Sequence, residues 1–96
     1  MALANALLKL LIERDAIDQH FIDAHTTGWP DLLEHLASLD LNVLLADAGI
    51  DAATLEALAD LYANARGSIL IWSMGITQHS YGGDAVSAVL NLGLAM

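Results

Sequence analysis

Leu3, Leu7, Leu8, Leu10, Leu11 and Ile12 crowd around a narrow polar stripe of Asn5, Lys9 and Glu13, spaced by four. That pattern predicts a helix over 2–14, apolar on most of its circumference and therefore largely buried. Residues 15–18 read as a turn. A short helix follows at 18–25, with Phe21 and Ile22 expected inward, and Thr26-Thr27-Gly28 breaks it. Trp29-Pro30-Asp31 opens another helix, since proline suits the first turn and an acidic residue favours the N-terminus. Leu32, Leu33, Leu36 and Leu39 supply its apolar face. The run 41–48 is ambiguous between helix and extended chain, and Val43-Leu44-Leu45 is the one place for a second strand. Gly49 ends it. Asp51 is a good N-cap for a helix at 52–65, with Leu55, Leu58, Leu61 and Tyr62 on one face. Gly67 suits a C-terminal cap.

The pattern then changes. Ile69-Leu-Ile-Trp72 is four bulky apolar residues in succession, without a solvent face. Such a run belongs to a strand in a parallel sheet covered on both sides. Residues 76–83 read as a loop, and Asp84 caps a last helix at 85–95 with Val86, Val89, Leu90 and Leu94 inward. The expected fold is α/β and mostly helical: about five helices and one central strand at 68–73, a partial Rossmann-like unit lacking its full sheet. The chain is read as a single domain or domain fragment, with a helical part at 1–48 and a helix–strand–loop–helix unit at 49–96. A lone strand implies pairing with a second copy or with more polypeptide.

Composition sharpens this. The chain has 96 residues, is 56% hydrophobic and has a mean hydropathy of +0.53. A domain this small buries only about 60–65% of its unfolded surface, so part of the apolar excess is expected against a partner. All charged side chains except Asp84 fall between Lys9 and Arg66. The last third therefore reads as interior. The net charge of −9, with only three cations, argues against nucleic acid and against anionic membrane surfaces. There is no cysteine, hence no disulfide framework or thiolate site. The first residues carry no basic signal-peptide region, and no run is long and apolar enough to span a bilayer. A cytoplasmic setting is expected.

Candidate chemistry concentrates after the expected strand. Ser73, Thr77, Gln78, His79, Ser80 and Tyr81 surround Gly75, Gly82 and Gly83. Glycines admit close backbone approach, and uncharged donors suit a phosphate or a heterocycle edge. Beyond a strand's carboxyl end is also where open α/β sheets bind ligands. Ile71-Trp-Ser-Met-Gly75 is only half of a nucleophile elbow, because Ile71 replaces the first glycine and no helix is expected directly after Ser73. A Ser73–His79–Asp84 triad is therefore disfavoured, and no catalytic residue is assigned. His20 and His25 are five apart and fall on different helix faces; with His35 they form no metal set. The carboxylates read as solvated helix faces.

Trp72-Ser-Met-Gly-Ile-Thr-Gln-His79, followed by Gly83-Asp-Ala-Val-Ser-Ala-Val-Leu-Asn-Leu-Gly-Leu94, resembles a segment of the molybdopterin-dependent oxidoreductases, the catalytic subunits of formate dehydrogenases and nitrate reductases. Leu3-Ala-Asn-Ala-Leu-Leu8, Asp18-Gln-His-Phe-Ile-Asp-Ala-His-Thr-Thr-Gly28 and Ile50-Asp-Ala-Ala-Thr-Leu-Glu-Ala-Leu-Ala-Asp-Leu-Tyr62 follow the same pattern in the same order. The resemblance implies an internal portion of a much longer chain, in an α/β domain that helps hold a bis-molybdopterin guanine dinucleotide cofactor. It places Met74, Gly75, Gln78 and His79 near that cofactor. The family's upstream cysteine motif and its molybdenum-ligating cysteine or selenocysteine are absent. The isolated chain is thus expected to bind no cofactor and to be inactive, its partner being the remainder of the parent enzyme. The alternative is a small helical homodimeric interaction module.

Overall fold

The computed structural model describes residues 1–96 and contains seven helices and no strand. They are α1 (Ala2–Glu13), α2 (Gln19–His25), α3 (Trp29–Ser38), α4 (Leu41–Ala48), α5 (Ala52–Ala63), α6 (Met74–Thr77) and α7 (Gly82–Ala95). α1 is the hub. It packs on α3, α4, α5 and α7, and Ala6, Leu8 and Leu11 are completely enclosed. The nearly all-round apolarity of α1 therefore has its structural counterpart in neighbours on several sides. The two polar residues of its stripe that approach the core are handled differently. Lys9 donates from Nζ to the carbonyl of Leu36 at 2.9 Å, while Asn5 stays 9% exposed.

Local chemistry starts the helices where the sequence indicates. The Asp18 carboxylate accepts from the backbone N–H of Phe21 at 2.8 Å, and that of Asp51 from Thr54 at 2.7 Å. These are N-caps, satisfying donors that a helix leaves free at its start. Asp40 caps α4 by accepting from the N–H groups of Asn42 and Val43. That cap decides the ambiguous run 41–48: it is helical, and Val43-Leu44-Leu45 is no strand. α4 ends on Gly49, whose φ of 71° is the left-handed cap conformation. α7 runs beside α1 in the same direction. Its early residues Asp84 and Ser87 share a groove with Met1 and Asn5, and at the far end the Ala95 carbonyl accepts from the Asp18 N–H at 2.8 Å.

The α/β expectation is overturned. There is no central strand at 68–73, and with seven helices and no sheet the chain is not a partial Rossmann-like unit. The physical reason is the lack of a partner. Strands are held by inter-strand hydrogen bonds, and the backbone of residues 66–72 makes no backbone hydrogen bond at all. The segment crosses the surface with Ile69 86% and Ile71 87% exposed. Leu70 and Trp72, between and after them, are half-buried. The last third is not interior either: Leu90 and Leu94 are exposed, and α7 buries Ala88, Leu92 and Ala95 instead. Phe21 and Leu61 also face solvent. The helix expected at 52–65 stops at Ala63, with Asn64 rather than Gly67 as its cap.

Candidate functional site

The expected loop after residue 73 is partly helical, so a helical turn does begin directly after Ser73, contrary to expectation. Ser73 is extended, and Met74–Thr77 form the single turn α6. A tight reversal then leads into α7, with the Gly82 N–H donating to the His79 carbonyl at 2.9 Å. The reversal requires glycine at its end. A Cβ on Gly82 would collide with the backbone carbonyl of Thr77. The close approach brings α6 directly against the start of α7. Asp84 lies in the first turn of α7 rather than at its cap, and Tyr81 occupies the cap position without a side-chain bond.

The four positions singled out from the sequence come together on this turn in two pairs four residues apart. Gln78 donates from Nε2 to the Met74 sulfur at 3.5 Å. His79 Nε2 lies 2.9 Å from the carbonyl oxygen of Gly75. A carbonyl can only accept, so the contact is a hydrogen bond when Nε2 carries a proton. All four residues are exposed, Met74 at 63%. None of them lines any of the four principal cavities. The turn thus offers an edge of uncharged donors and acceptors, not an enclosing pocket. Ser73, His79 and Asp84 form no hydrogen-bonded relay: the His79 ring is engaged with Gly75, and Ser73 makes no side-chain cap. No group of three histidine or carboxylate side chains is placed to hold a metal ion. The His25 ring packs against Phe21 at a tilt of 44°, with ring centroids 4.7 Å apart.

Two features escaped the sequence. Arg14 pairs with both Glu56 and Asp60, the latter at 2.7 Å, tying the end of α1 to α5. The signal was available: Glu56 and Asp60 are four apart on one helix face. The second is an open groove of about 570 Å³ where α1, α3, α4 and α7 meet, with Asp40, Asp47 and Asp84 among its lining residues. No periodicity within one helix reveals it, because it is assembled from four.

No family model matches the chain. Individual proteins do. It is 33% identical over 96% of its length to protein YdeP of Escherichia coli. It is 33% identical over 98% of its length to the F420-dependent formate dehydrogenase subunit alpha of Methanocaldococcus jannaschii. The assimilatory nitrate reductase catalytic subunit of Bacillus subtilis matches at 33% over 95% of the chain. In each case the chain spans only 13–14% of the relative's length. No helix is long and apolar enough to cross a membrane. Over nearly its whole length, then, this helical chain is homologous to one segment of formate dehydrogenase and nitrate reductase subunits.

Proposed function

We propose that the chain serves as the cofactor-cradling segment of a molybdopterin-dependent oxidoreductase, in which the turn of Met74, Gly75, Gln78 and His79 presents one edge to the cofactor. The observation that carries this reading is end-to-end similarity to a small part of much longer oxidoreductases. The donor set agrees with it. An anionic, heterocyclic group such as molybdopterin guanine dinucleotide suits the Gln78 amide and the exposed backbone at Gly75, with the His79 ring beside them. The walls of such a site come from polypeptide outside these residues, since the turn lines no principal cavity. When bound, the cofactor supplies the oxidation–reduction chemistry at its metal. The contribution of this chain is orientation: the Gln78–Met74 and His79–Gly75 contacts hold donors in place, and Gly82 lets the turn lie against α7. The isolated chain is inactive on this reading, and its partner is the remainder of a larger enzyme.

A chimera tests it. The homologous stretch of the B. subtilis nitrate reductase catalytic subunit is replaced by residues 1–96. The expected result is a protein that retains molybdenum, with Gln78→Ala and His79→Ala each lowering the molybdenum content per folded protein. A chimera that folds and keeps full molybdenum in both variants overturns the assignment of these residues.

A second reading, a homodimeric interaction module, rests on the exposed apolar side chains Leu61, Ile69, Ile71, Leu90 and Leu94. Sedimentation at micromolar concentration decides it: a dimer dispersed by Ile69→Lys supports the module, and a monomer rejects it.

A further inference from the structure

Cations are scarce in this chain, and two of the three are engaged. Lys9 lies inside α1 and donates to the Leu36 carbonyl. Arg14 pairs with Glu56 and Asp60. The backbone around Arg14 is held as well: the N–H groups of Arg14, Asp15 and Ala16 donate to the carbonyls of Leu10, Ile12 and Leu11. Arg66 is different. It is exposed, it belongs to neither ion pair, and it opens the stretch between α5 and α6.

The peptide that follows Arg66 has the form a protease requires. Residues 66–72 make no backbone hydrogen bond. Exposure alternates along them, with Ile69 and Ile71 in water and Leu70 and Trp72 half-buried. That two-residue period is the mark of extended chain. Extended peptides are recognised through main-chain hydrogen bonds with a partner's strand edge, and here those groups are free. A helix must unravel before it can be gripped in this way. On the other side of the bond only Asn64 and Ala65 have to be released. They are held to the end of α5 by bonds to the carbonyls of Asp60 and Tyr62, and helix ends open at little cost. The space at Gly67 is open too, since an added Cβ there would meet nothing.

We propose that the Arg66–Gly67 bond is a site of limited proteolysis by arginine-directed endoproteases, and that the nicked chain stays one folded body. Hydrolysis breaks the bond between the Arg66 carbonyl carbon and the Gly67 nitrogen. Water gives its hydroxyl to that carbon and its remaining hydrogen to that nitrogen. The two pieces, 1–66 and 67–96, are joined by contacts that the cut leaves alone. α7 packs on α1 and α2 and buries Ala88, Leu92 and Ala95. The Ala95 carbonyl keeps its bond from the Asp18 N–H. Leu70 rests on α7 at Gly93, where an added Cβ would lie 3.1 Å from Leu70 Cδ1, so the open segment stays with the second piece. The site is a property of the chain by itself and does not depend on the oxidoreductase reading.

The test is digestion of the full chain with a trace of trypsin, followed by intact mass. The first products should be 1–66 and 67–96, their masses summing to the chain plus one water. Cleavage after Lys9 or Arg14 should be about a hundredfold slower, because those bonds open only as the bundle does and proteolysis then tracks that small population. The two pieces should co-elute in gel filtration with helical circular dichroism retained. Arg66→Gln should abolish the early cut. Thermolysin, which cuts before bulky apolar residues, should still cut this variant within 69–72 and at the rate of the parent, which separates the open backbone from the arginine. A first tryptic cut after Lys9 or Arg14 overturns the proposal, as does thermolysin cleavage that begins outside 69–72. Pieces that separate once the bond is cut overturn its second half.

Discussion

Single residues carry much of the fold's local definition, and Gly82 is the sharpest case. Its missing Cβ lets the Thr77 carbonyl approach. That neighbour is backbone and cannot rotate aside. Gly82→Ala should therefore destabilise the chain by about 1–3 kcal/mol, the usual range for overpacking, read as a lower urea midpoint. Gly83→Ala meets open space and serves as the control. Asp51 gives a pH signature. Its hydrogen bonds with Thr54 hold its carboxyl below the ordinary value of 3.8. A carboxyl with a lowered folded-state pKa stabilises above its unfolded value, and the contribution disappears as pH falls through the folded one. Asp51→Ala should accordingly be less stable than the parent at neutral pH. The gap should close below about pH 3.8, as followed by urea midpoints across a pH series.

Among elements, α1 is set by its own sequence and the segment 66–72 is not. Every leucine position of α1 that the core needs is fixed by 3.6-residue periodicity, so the helix and its burial are legible without the structure. Leu8 and Leu11 are fully enclosed. Leu8→Ala should cost about 2–5 kcal/mol, a large share of the stability available to a small domain, and circular dichroism should show partial or complete unfolding. The cap at Asp51 was equally readable, because a capping bond spans only two or three residues, whereas the cap at Asp18 was not assigned and the one expected at Asp84 falls to Tyr81. The four-residue apolar run Ile69 to Trp72 was misread for a physical reason. Composition favours a strand, but a strand also requires a neighbour, and sequence alone does not say whether one is present. Hydrogen exchange should show amides 66–72 unprotected beside slowly exchanging α1 amides. Ile71→Glu should leave the urea midpoint of the isolated chain nearly unchanged, since the side chain is already in water. The phase of α7 was lost differently. Leu90 and Leu94 were expected inward, but the buried face of α7 is the one carrying Ala88, Leu92 and Ala95. Of the candidate site, the positions Met74, Gly75, Gln78 and His79 came from the resemblance, and their pairing four residues apart was not read, because 76–83 was taken for a loop where the chain forms the turn α6. The groove holding Asn5 was not legible either, because tertiary packing alone assembles it.

At the scale of the molecule, only 16 of 96 residues are buried, although more than half the composition is hydrophobic. The surplus lies on the surface, along 66–72 and the outer side of α7. On the reading proposed above, the remainder of a longer enzyme would cover this surface. The similarity to 13–14% of each relative's length is in keeping with that view.

The shared direction of α1 and α7 has a mechanical consequence. Met1 sits by the start of α7, whereas the other end of α7 is bonded beside the turn that follows α1. The two ends of the polypeptide thus leave the bundle from opposite poles. A pull on them drags α1 and α7 past one another lengthwise, so that their contacts must fail together rather than one after another. Tension between flanking regions would meet this bundle as a stiff strut, not as a zipper.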